Sequence, residues 1–257
     1  MLYRTIQGED VPALGFGTWQ LRGTACREAV ADALAIGYRH IDTAKIYRNE
    51  ADVGRGLRDA GVDRDAVFLT TKVWHTNLRP DDVRASAEDS LRRLQTEYVD
   101  LLLIHWPNES VPLEATLDAM RALQAEGKTR HIGVSNFPPA LLHKALDHAP
   151  IFCNQVEYHP FLEQDRLLEI ARAHDLLLTA YSPLAKGRVP RDDTLRAIGE
   201  AYGKSPAQVA LRWLLQQEQV AAIPKAASPE HRRTNFDVFD FELTDDEMQR
   251  IDGLARG

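Results

Sequence analysis

Eight short apolar runs, separated by amphipathic stretches, constrain the fold of this chain more than any other feature of its sequence. The runs are rich in Val, Ile and Leu and cover residues 13–18, 38–43, 67–73, 99–106, 130–135, 151–157, 176–182 and 220–225. Residues 79–95 typify the stretches between them, since apolar side chains recur there at the three- and four-residue spacing of one helical face. Parallel strands need a crossover helix between neighbours, so this alternation predicts a parallel sheet.

Eight strand and helix units predict an α/β fold of the (β/α)8 TIM barrel type, formed by a single domain over residues 1–257. The 44% hydrophobic content is sufficient for the core of such a barrel. An open doubly wound sheet is the alternative, and it usually carries a glycine-rich phosphate turn. The nearest match, GFGTWQ at residues 15–20, lacks the third glycine and the helix start that should follow it.

Two additions to the barrel are predicted at the chain ends. An N-terminal β-hairpin is expected with its turn around Gly8, Glu9 and Asp10. A C-terminal helix is expected over residues 243–255, where Thr244 and Glu247 have the spacing of a capping box.

Composition and charge exclude several classes of partner. The formal net charge of −7 argues against a nucleic-acid or anionic membrane surface, which needs clustered positive charge. We find neither a signal segment nor a run of about 18 apolar residues, and we expect a soluble cytoplasmic protein with a small-molecule partner. Cys26 and Cys153 lack CxxC spacing, and the nine histidines form no HxH or HExxH pattern. No metal site is therefore predicted, and Glu157 with His159 is interpreted as structural.

Residues able to bind a ligand or do chemistry end every apolar run. In chain order they are Gly17, Thr18, Trp19, Asp42, Lys72, His105, Trp106, Ser135, Asn136, Gln155, Tyr181, Ser182 and Lys225. Each has a structural explanation when taken alone: His105 could be a hydrogen-bonded core histidine, and Lys72 could extend to solvent. The active site of this barrel class lies at the carboxyl ends of the strands, so convergence of these residues on one rim favours a functional site.

Four titratable residues suit proton transfer to a carbonyl: Asp42, Tyr47, Lys72 and His105. A phenol with its usual pKa near 10 donates a proton reluctantly at neutral pH unless an adjacent ammonium stabilises the phenolate. Lys72 can supply that ammonium, Asp42 can hold its charge, and His105 can orient a carbonyl by hydrogen bonding. The sequence therefore predicts a proton donor beside a polarised carbonyl. The structural alternative is that Asp42 caps the next turn and Tyr47 packs on the surface.

Eight short motifs follow one another along the chain. They are GFGTW at 15–19, DTAKIYRNE at 42–50, TTKVW at 70–74, LIHWP at 103–107, GVSNF at 133–137, NQVEYHP at 154–160, AYSPL at 180–184 and IPK at 223–225. In order and spacing they resemble the aldo-keto reductase superfamily, and in particular its short bacterial members of the 2,5-diketo-D-gluconate reductase type. The resemblance runs from about residue 3 to residue 255.

The resemblance implies NAD(P)H-dependent reduction of aldehydes and ketones, including dicarbonyls and keto-sugars, to alcohols. It implies that Tyr47 is the general acid, with Lys72 and Asp42 lowering its pKa. His105 would orient the substrate carbonyl. The implied substrate contacts are Trp19, Tyr47, Trp74, His105 and Trp106. A monomer that acts on a small carbonyl compound is also implied.

The same resemblance places a nicotinamide cofactor across the strand ends, with its ring stacked on Tyr181. Its carboxamide would be held by Ser135, Asn136 and Gln155. The full set of implied cofactor-binding residues is Gly17, Thr18, Trp19, Asp42, Ser135, Asn136, Gln155, Tyr181, Ser182, Leu184, Lys225, Ala226, Ser228, His231 and Asn235.

The segment that would hold the adenosine end departs from the family pattern, in which Ser, Arg and Glu often precede a final Asn. The matching positions here are Ala226, His231, Thr234 and Asn235, with Arg232 and Arg233 beside them. Ser228 still predicts a helix start, and a helix N-terminus near Lys225 suits a phosphate. NADPH is the expected cofactor, but a histidine offers less charge than an arginine and no bidentate geometry. We therefore expect measurable use of NADH as well.

Two further departures concern the substrate. The connection at residues 182–193 is short, and the sequence stops at Gly257 directly after the terminal helix, where many relatives carry a longer tail across the pocket. We therefore expect a wide mouth with few specificity contacts, and hence a broad range of aldehydes and activated ketones.

Three other functions would use parts of the same sequence. A class I aldolase would use Lys72 as a Schiff-base nucleophile in the same barrel class, but it would not need the amide-rich set at the following strand ends. A regulatory module would bind nicotinamide nucleotide and signal to a partner, whereas the complete proton-transfer set argues for turnover. A metal-dependent hydrolase barrel would need clustered ligands, which the scattered histidines do not offer.

Overall fold

The structure is a computed structural model that describes residues 1–256. Strands β1 (Tyr3–Ile6) and β2 (Glu9–Pro12) form an antiparallel hairpin at the start of the chain. Gln7 and Gly8 make the two-residue turn, and both have positive φ, 49° and 84°. Positive φ at both central positions is the signature of a type I′ hairpin turn. The predicted hairpin is confirmed, but its predicted position was wrong: Glu9 and Asp10 pair with β1 instead of forming the turn.

Eight parallel strands form the barrel, and each strand pairs with the strands that precede and follow it in the chain. They are β3 (Phe16–Gly17), β4 (His40–Asp42), β5 (Phe68–Val73), β6 (Val99–Ile104), β7 (Thr129–Ser135), β8 (Ile151–Glu157), β9 (Leu177–Tyr181) and β10 (Val220–Ala222). Seven of the predicted runs contain one of these strands, and the run at residues 130–135 matches β7, which begins one residue earlier at Thr129. The predicted barrel is therefore confirmed. The first and last strands are shorter than their runs, because only part of each run has regular ladder pairing.

The barrel closes between its first and last strands. Leu14 forms a parallel bridge with Ala222, and the amide of Ala222 donates to the carbonyl of Ala13 at 2.8 Å. The amide of Gly17 donates to the carbonyl of Pro224 at 3.1 Å. A Cβ atom at Gly17 would lie 2.7 Å from the carbonyl oxygen of Ile223, so only glycine permits this close approach.

The N-terminal hairpin covers the amino-terminal end of the barrel. Its buried Ile6 and Val11 join a cluster of side chains from inside the barrel. That cluster also contains Phe68, Leu101, Leu103, Phe152, Cys153, Leu177 and Ala221. A larger apolar cluster packs the outer faces of the strands against the helices. One end of the barrel is therefore filled by apolar side chains, and the carboxyl ends of the strands remain for a site.

Helices separate the barrel strands and form the outer layer. They are α1 (Gly23–Ile36), α2 (Glu50–Asp59), α3 (Pro80–Leu94), α4 (Leu113–Ala125), α5 (Pro139–His148), α6 (Asp165–Ala173), α7 (Asp193–Tyr202), α8 (Pro206–Gln216), α9 (Pro229–Phe236) and α10 (Asp245–Asp252). The helix predicted at residues 79–95 is confirmed as α3, and the apolar face of that helix is buried.

The terminal helix α10 begins at the predicted cap. The side chain of Thr244 accepts from the amide of Glu247, and the Glu247 carboxylate accepts from the amide of Thr244 at 2.8 Å. A short 3-10 turn, Gly253–Arg256, continues it. No helix within residues 1–256 has both the length and the apolar character needed to cross a membrane.

Candidate active site

A pocket of about 470 Å³ lies at the carboxyl ends of the barrel strands. Its lining comprises Trp19, Ile46, Tyr47, Trp74, His105, Trp106, Ser135, Asn136, Gln155, Glu157, Tyr181, Ser182 and Lys186. Ten of these were predicted from the sequence as site residues. The structure adds Ile46, Glu157 and Lys186, of which Glu157 had been interpreted as structural. The barrel therefore brings residues from seven parts of the chain to one pocket.

Asp42 and Lys72 form a buried ion pair beneath this pocket. The Lys72 ammonium donates to Asp42 Oδ1 at 2.5 Å and to the carbonyl oxygen of Thr43 at 2.9 Å. The exposed fractions of the two side chains are 0% for Lys72 and 2% for Asp42. Gln155 Nε2 donates to the other carboxylate oxygen of Asp42 at 2.7 Å, a contact that the sequence did not predict. Both oxygens of Asp42 are thereby fixed.

Tyr47 ends a 3-10 turn, Lys45–Tyr47, that follows β4. The Lys72 ammonium lies 5.3 Å from the centre of its ring, and the His105 ring meets it edge-on at 5.7 Å between centroids. Burial, and then the Asp42 carboxylate, raise the pKa of Tyr47 above its ordinary value. The expectation that Lys72 and Asp42 lower this pKa is therefore wrong for the protein alone, because burial disfavours the phenolate and the Asp42 carboxylate repels it. The phenol keeps its proton throughout the neutral range.

His105 is a neutral imidazole at the end of β6. Burial, and then the nearby Lys72 and His75, lower the pKa of His105 to about 3. Its Nδ1 atom is buried and has no hydrogen-bond partner within residues 1–256. The ring of Trp74 packs edge-on against it at 5.1 Å between centroids. An uncharged ring held between two aromatic side chains can orient a ligand oxygen without changing its own protonation state.

A chain of hydrogen bonds joins the ends of β7, β8 and β9. The Tyr181 hydroxyl donates to Asn136 Oδ1 at 2.8 Å, and Asn136 Nδ2 donates to the carbonyl oxygen of His105 at 3.0 Å. Ser135 Oγ donates to the carbonyl oxygen of Gln155 at 2.8 Å. Asn136 has a positive φ of 63°, a conformation that Asn tolerates better than most residues. The network fixes the predicted nicotinamide-binding residues relative to His105.

Asn49 fixes the loop that carries Tyr47, a role that the sequence analysis did not assign. It is buried, and its Nδ2 donates to the carbonyl oxygens of Thr18 at 2.8 Å and Leu21 at 3.0 Å. Its Oδ1 accepts from the Thr43 hydroxyl at 2.8 Å. The signal was present, because Asn49 is a polar residue inside the motif at 42–50, but its partners are distant in sequence.

Tryptophan side chains form open walls of the pocket. Trp19 and Trp106 are exposed, with exposed fractions of 48% and 43%, while Trp74 is half-buried. Large apolar side chains at the surface commonly mark a binding site. Lys186, in the short connection that follows β9, pairs with Glu157 at the end of β8 at 3.2 Å. The predicted substrate contacts therefore share one pocket with two charged residues at its edge.

The remaining predicted cofactor residues lie outside this pocket. Gly17 and Thr18 are buried, and Thr18 Oγ1 donates to the carbonyl oxygen of Asp42 at 3.0 Å. Leu184 is partly buried in the connection after β9. The others lie in the segment before α9, which holds Lys225, Ala226 and the capping Ser228, or within α9 itself, which holds His231 and Asn235. Lys225 and His231 are exposed, whereas Ala226 and Asn235 are buried.

The two arginines of α9 differ in availability. Arg232 is only 3% exposed, and its guanidinium donates to Asp32 at 2.6 Å and to the carbonyl oxygen of Ala227 at 2.8 Å. Arg233 is exposed and lies 3.7 Å from the same aspartate. Ser228 caps the helix by accepting from the amide of His231 at 3.2 Å. Arg232 therefore links α9 to α1. The exposed cations at and before α9 are Lys225 and Arg233.

A sequence profile of the Aldo/keto reductase family matches residues 13–256. The chain belongs to the aldo/keto reductase family. An aldo-keto reductase of Mycolicibacterium smegmatis is 41% identical over 253 residues, which are 97% of this chain and 92% of that protein. The glyoxal reductase of Bacillus subtilis is 42% identical over 252 residues, which are 97% of this chain and 91% of that protein.

A solved structure gives the same result for this aldo/keto reductase. It is provisionally described as a 2,5-diketo-D-gluconic acid reductase B, and the two chains are 46% identical with a TM-score of 0.96. The match covers 98% of this chain and 90% of that chain. These findings confirm the predicted family and barrel fold. Among residues 1–256, no group of three or more His, Cys, Asp and Glu side chains is arranged to hold a metal ion.

Proposed function

We propose that this protein reduces aldehydes and ketones, including dicarbonyls and keto-sugars, to alcohols with NAD(P)H as the reductant. One observation carries the proposal: a protonated phenol, Tyr47, and a neutral imidazole, His105, line one pocket directly above a buried Lys72–Asp42 pair. Two of the similar proteins are named for dicarbonyl or keto-sugar substrates, a glyoxal reductase and a diketogluconic acid reductase. Their names support this substrate class.

The residues present fit a nicotinamide dinucleotide. Fixed amide and hydroxyl groups of Ser135, Asn136 and Gln155 line the pocket beside the Tyr181 ring. The amino end of α9, with the exposed Lys225 before it, suits a phosphate. When bound, the cofactor supplies the hydride that reduces the carbonyl carbon. These residues would hold the nicotinamide ring and carboxamide at the barrel mouth and the phosphates near α9.

Tyr47 would supply the proton in this reaction. Its raised pKa keeps the hydroxyl protonated, so the proton is available for the carbonyl oxygen as negative charge develops there. His105, which stays neutral, would hold that oxygen by a hydrogen bond and set its direction towards Tyr47. The Lys72 ammonium, 5.3 Å from the centre of the phenol ring, would stabilise the phenolate that remains. Asp42 keeps this ammonium charged and in place.

The aldolase and the regulatory module find less support than carbonyl reduction. A Schiff-base lysine must reach the substrate, but the Lys72 side chain has no exposed surface and its ammonium is bound by Asp42 and Thr43. Trapping with borohydride and a carbonyl compound would give a stable adduct only for the aldolase. A nucleotide-sensing module would bind NADPH without oxidising it on any carbonyl. The proton-transfer residues around the pocket favour turnover over sensing.

The proposed function predicts NADPH oxidation with a broad panel of carbonyl compounds. Aldehydes, dicarbonyls and keto-sugars should all be reduced, because the exposed tryptophan walls offer few directional contacts. Oxidation of NADPH should be followed at 340 nm with each compound at several concentrations, and the alcohol identified by mass spectrometry. Activity on a single compound only would contradict the expected breadth, and activity on none would contradict the function.

The residue at position 231 should set the preference between NADPH and NADH. The parent should use both, with a ratio of kcat/KM values below about a thousandfold, or about 4 kcal/mol. His231→Arg should raise the ratio in favour of NADPH by about tenfold, because a guanidinium adds a permanent charge and a bidentate donor for the 2′-phosphate. His174→Arg, at the exposed end of α6, is the matched control and should leave the ratio unchanged. An unchanged ratio in His231→Arg would contradict the assignment.

We also propose that the protein is a cytoplasmic monomer whose partner is a small carbonyl substrate, with no nucleic-acid or membrane partner. The net charge of −7 supports the last point, since no overall positive field would attract either polyanion. Light scattering on the purified protein gives the mass of the species in solution. One chain has a mass of 28.9 kDa, and a measured mass about twice that value would contradict the monomer.

A further inference from the structure

A second hollow, of about 380 Å³, adjoins the active-site pocket beside the loop of Tyr47. Ile46 and Trp74 line both hollows, so they form the wall between them. The remaining lining is polar and consists of Lys45, Arg48, Glu50, Asn77 and Arg93. We call this second hollow the basic basin. None of its polar residues has a part in the proposed reduction.

Cations outnumber carboxylates in the basic basin. Lys45 and Arg93 share one carboxylate, that of Asp89, to which Arg93 Nε donates at 2.7 Å. Glu50 is buried and accepts from the Thr71 hydroxyl at 2.7 Å, and burial raises the pKa of Glu50. Raising that pKa favours the uncharged acid. The basin therefore keeps a net positive charge in a protein whose overall charge is negative.

Arg48 is the cation of the basin that has no carboxylate partner. Its side chain is exposed, and no ion pair joins it to an acidic residue within residues 1–256. It directly follows Tyr47 and has a φ of 58°, and its backbone amide donates a hydrogen bond to the carbonyl oxygen of Lys45 at 3.2 Å. The buried Asn49 fixes the same loop. A free guanidinium and the proposed proton donor are thus neighbours on one rigid loop.

We propose that the basic basin binds the carboxylate of an elongated carbonyl substrate, with Arg48 as the residue that selects for it. A guanidinium pairs with a carboxylate through two parallel hydrogen bonds, and one unpaired arginine matches a single negative charge. Ile46 and Trp74 would contact the carbon chain between the carboxylate in the basin and the carbonyl at Tyr47. This inference rests on the proposed carbonyl reduction and adds a preference among its substrates.

The test compares two rigid aldehydes that differ in charge, 4-formylbenzoate and its neutral amide, 4-formylbenzamide. For each enzyme the measured quantity is the ratio of kcat/KM for the acid to kcat/KM for the amide, with NADPH at low ionic strength. Arg48→Gln should lower this ratio about three- to fivefold, the range for a partly solvated ion pair. Most of the change should lie in KM, because the pair forms with the bound substrate before the chemical step. Added salt should lower the parent's ratio towards that of the variant.

Arg250→Gln is the matched control, since Arg250 is an exposed arginine on α10. It should leave the ratio unchanged. An Arg48→Gln variant that merely perturbs the loop would lower both kcat/KM values together, and an unchanged ratio would overturn the inference. Reduction of both aldehydes by the parent without any Arg48 effect would leave the proposed function intact. Reduction of neither aldehyde by a parent enzyme that reduces other compounds of the carbonyl panel would overturn this inference alone, and reduction of no compound in the panel would overturn the proposed function as well.

Discussion

Tyr47→Phe is expected to lower kcat for carbonyl reduction by about 10²–10⁴-fold, the contribution typical of a positioned general acid. The substitution removes the phenolic oxygen and keeps the ring, whose contacts with His105 and Lys72 do not involve the hydroxyl. Binding of the cofactor should be nearly unchanged, because Tyr181 and the amide set at the strand ends are untouched. The loss should therefore appear in kcat, measured at saturating NADPH and substrate, together with a cofactor Kd from protein fluorescence.

A second tyrosine gives the control for Tyr47→Phe. Tyr202 lies on α7, and its hydroxyl donates to Glu247 at 2.6 Å, far from the barrel mouth in the fold. Tyr202→Phe removes the same atom and should leave kcat within about twofold of the parent. Retained turnover in Tyr47→Phe would show that another group supplies the proton. A weakened cofactor Kd with unchanged kcat would instead make Tyr47 a binding residue.

The fold was predictable from the sequence because its signals are local. Each barrel strand lies in an apolar run, and the buried face of α3 is marked by apolar residues that recur every three or four positions. The hairpin turn was misplaced because positive φ falls on Gln7 as well as Gly8, and glutamine is not a usual signal for that conformation. Closure of the barrel has no local signal, because its bridge joins Leu14 to Ala222, more than 200 residues away in the chain.

The site was predictable in its members but not in its contacts. Asp42, Lys72 and Gln155 were predicted as site residues because they lie near the ends of apolar runs. The hydrogen bond from Gln155 to Asp42 was not predicted, because it crosses the barrel from β8 to β4. The pKa of Tyr47 was predicted in the wrong direction because it depends on burial, and burial is a property of the folded chain. In the sequence Arg232 stands among the residues expected to hold the adenosine end of the cofactor. In the structure its guanidinium donates to Asp32, which lies 200 positions away in the chain.

Lys72→Met is expected to lower the free energy of unfolding by about 3–5 kcal/mol, the cost of leaving a buried charge without its partner. Asp42 would keep a carboxylate that is only 2% exposed, with Gln155 as its remaining side-chain donor. Methionine has nearly the length of lysine and so limits the loss of packing. Urea denaturation of the parent and the variant at neutral pH measures the difference in the free energy of unfolding.

Two comparisons separate the charge from other effects of Lys72→Met. Lys144→Met removes a lysine from an exposed pair with Glu114, in which the two groups lie 3.0 Å apart, and should cost about 1 kcal/mol or less. The double variant Lys72→Met with Asp42→Asn removes both charges and should recover much of the lost stability, since a neutral amide can still bond Gln155. Stability equal to the parent in Lys72→Met alone would mean that the pair is buried as an uncharged amine and acid. In that case no ammonium stands beside Tyr47, and the stabilisation of its phenolate would need another source.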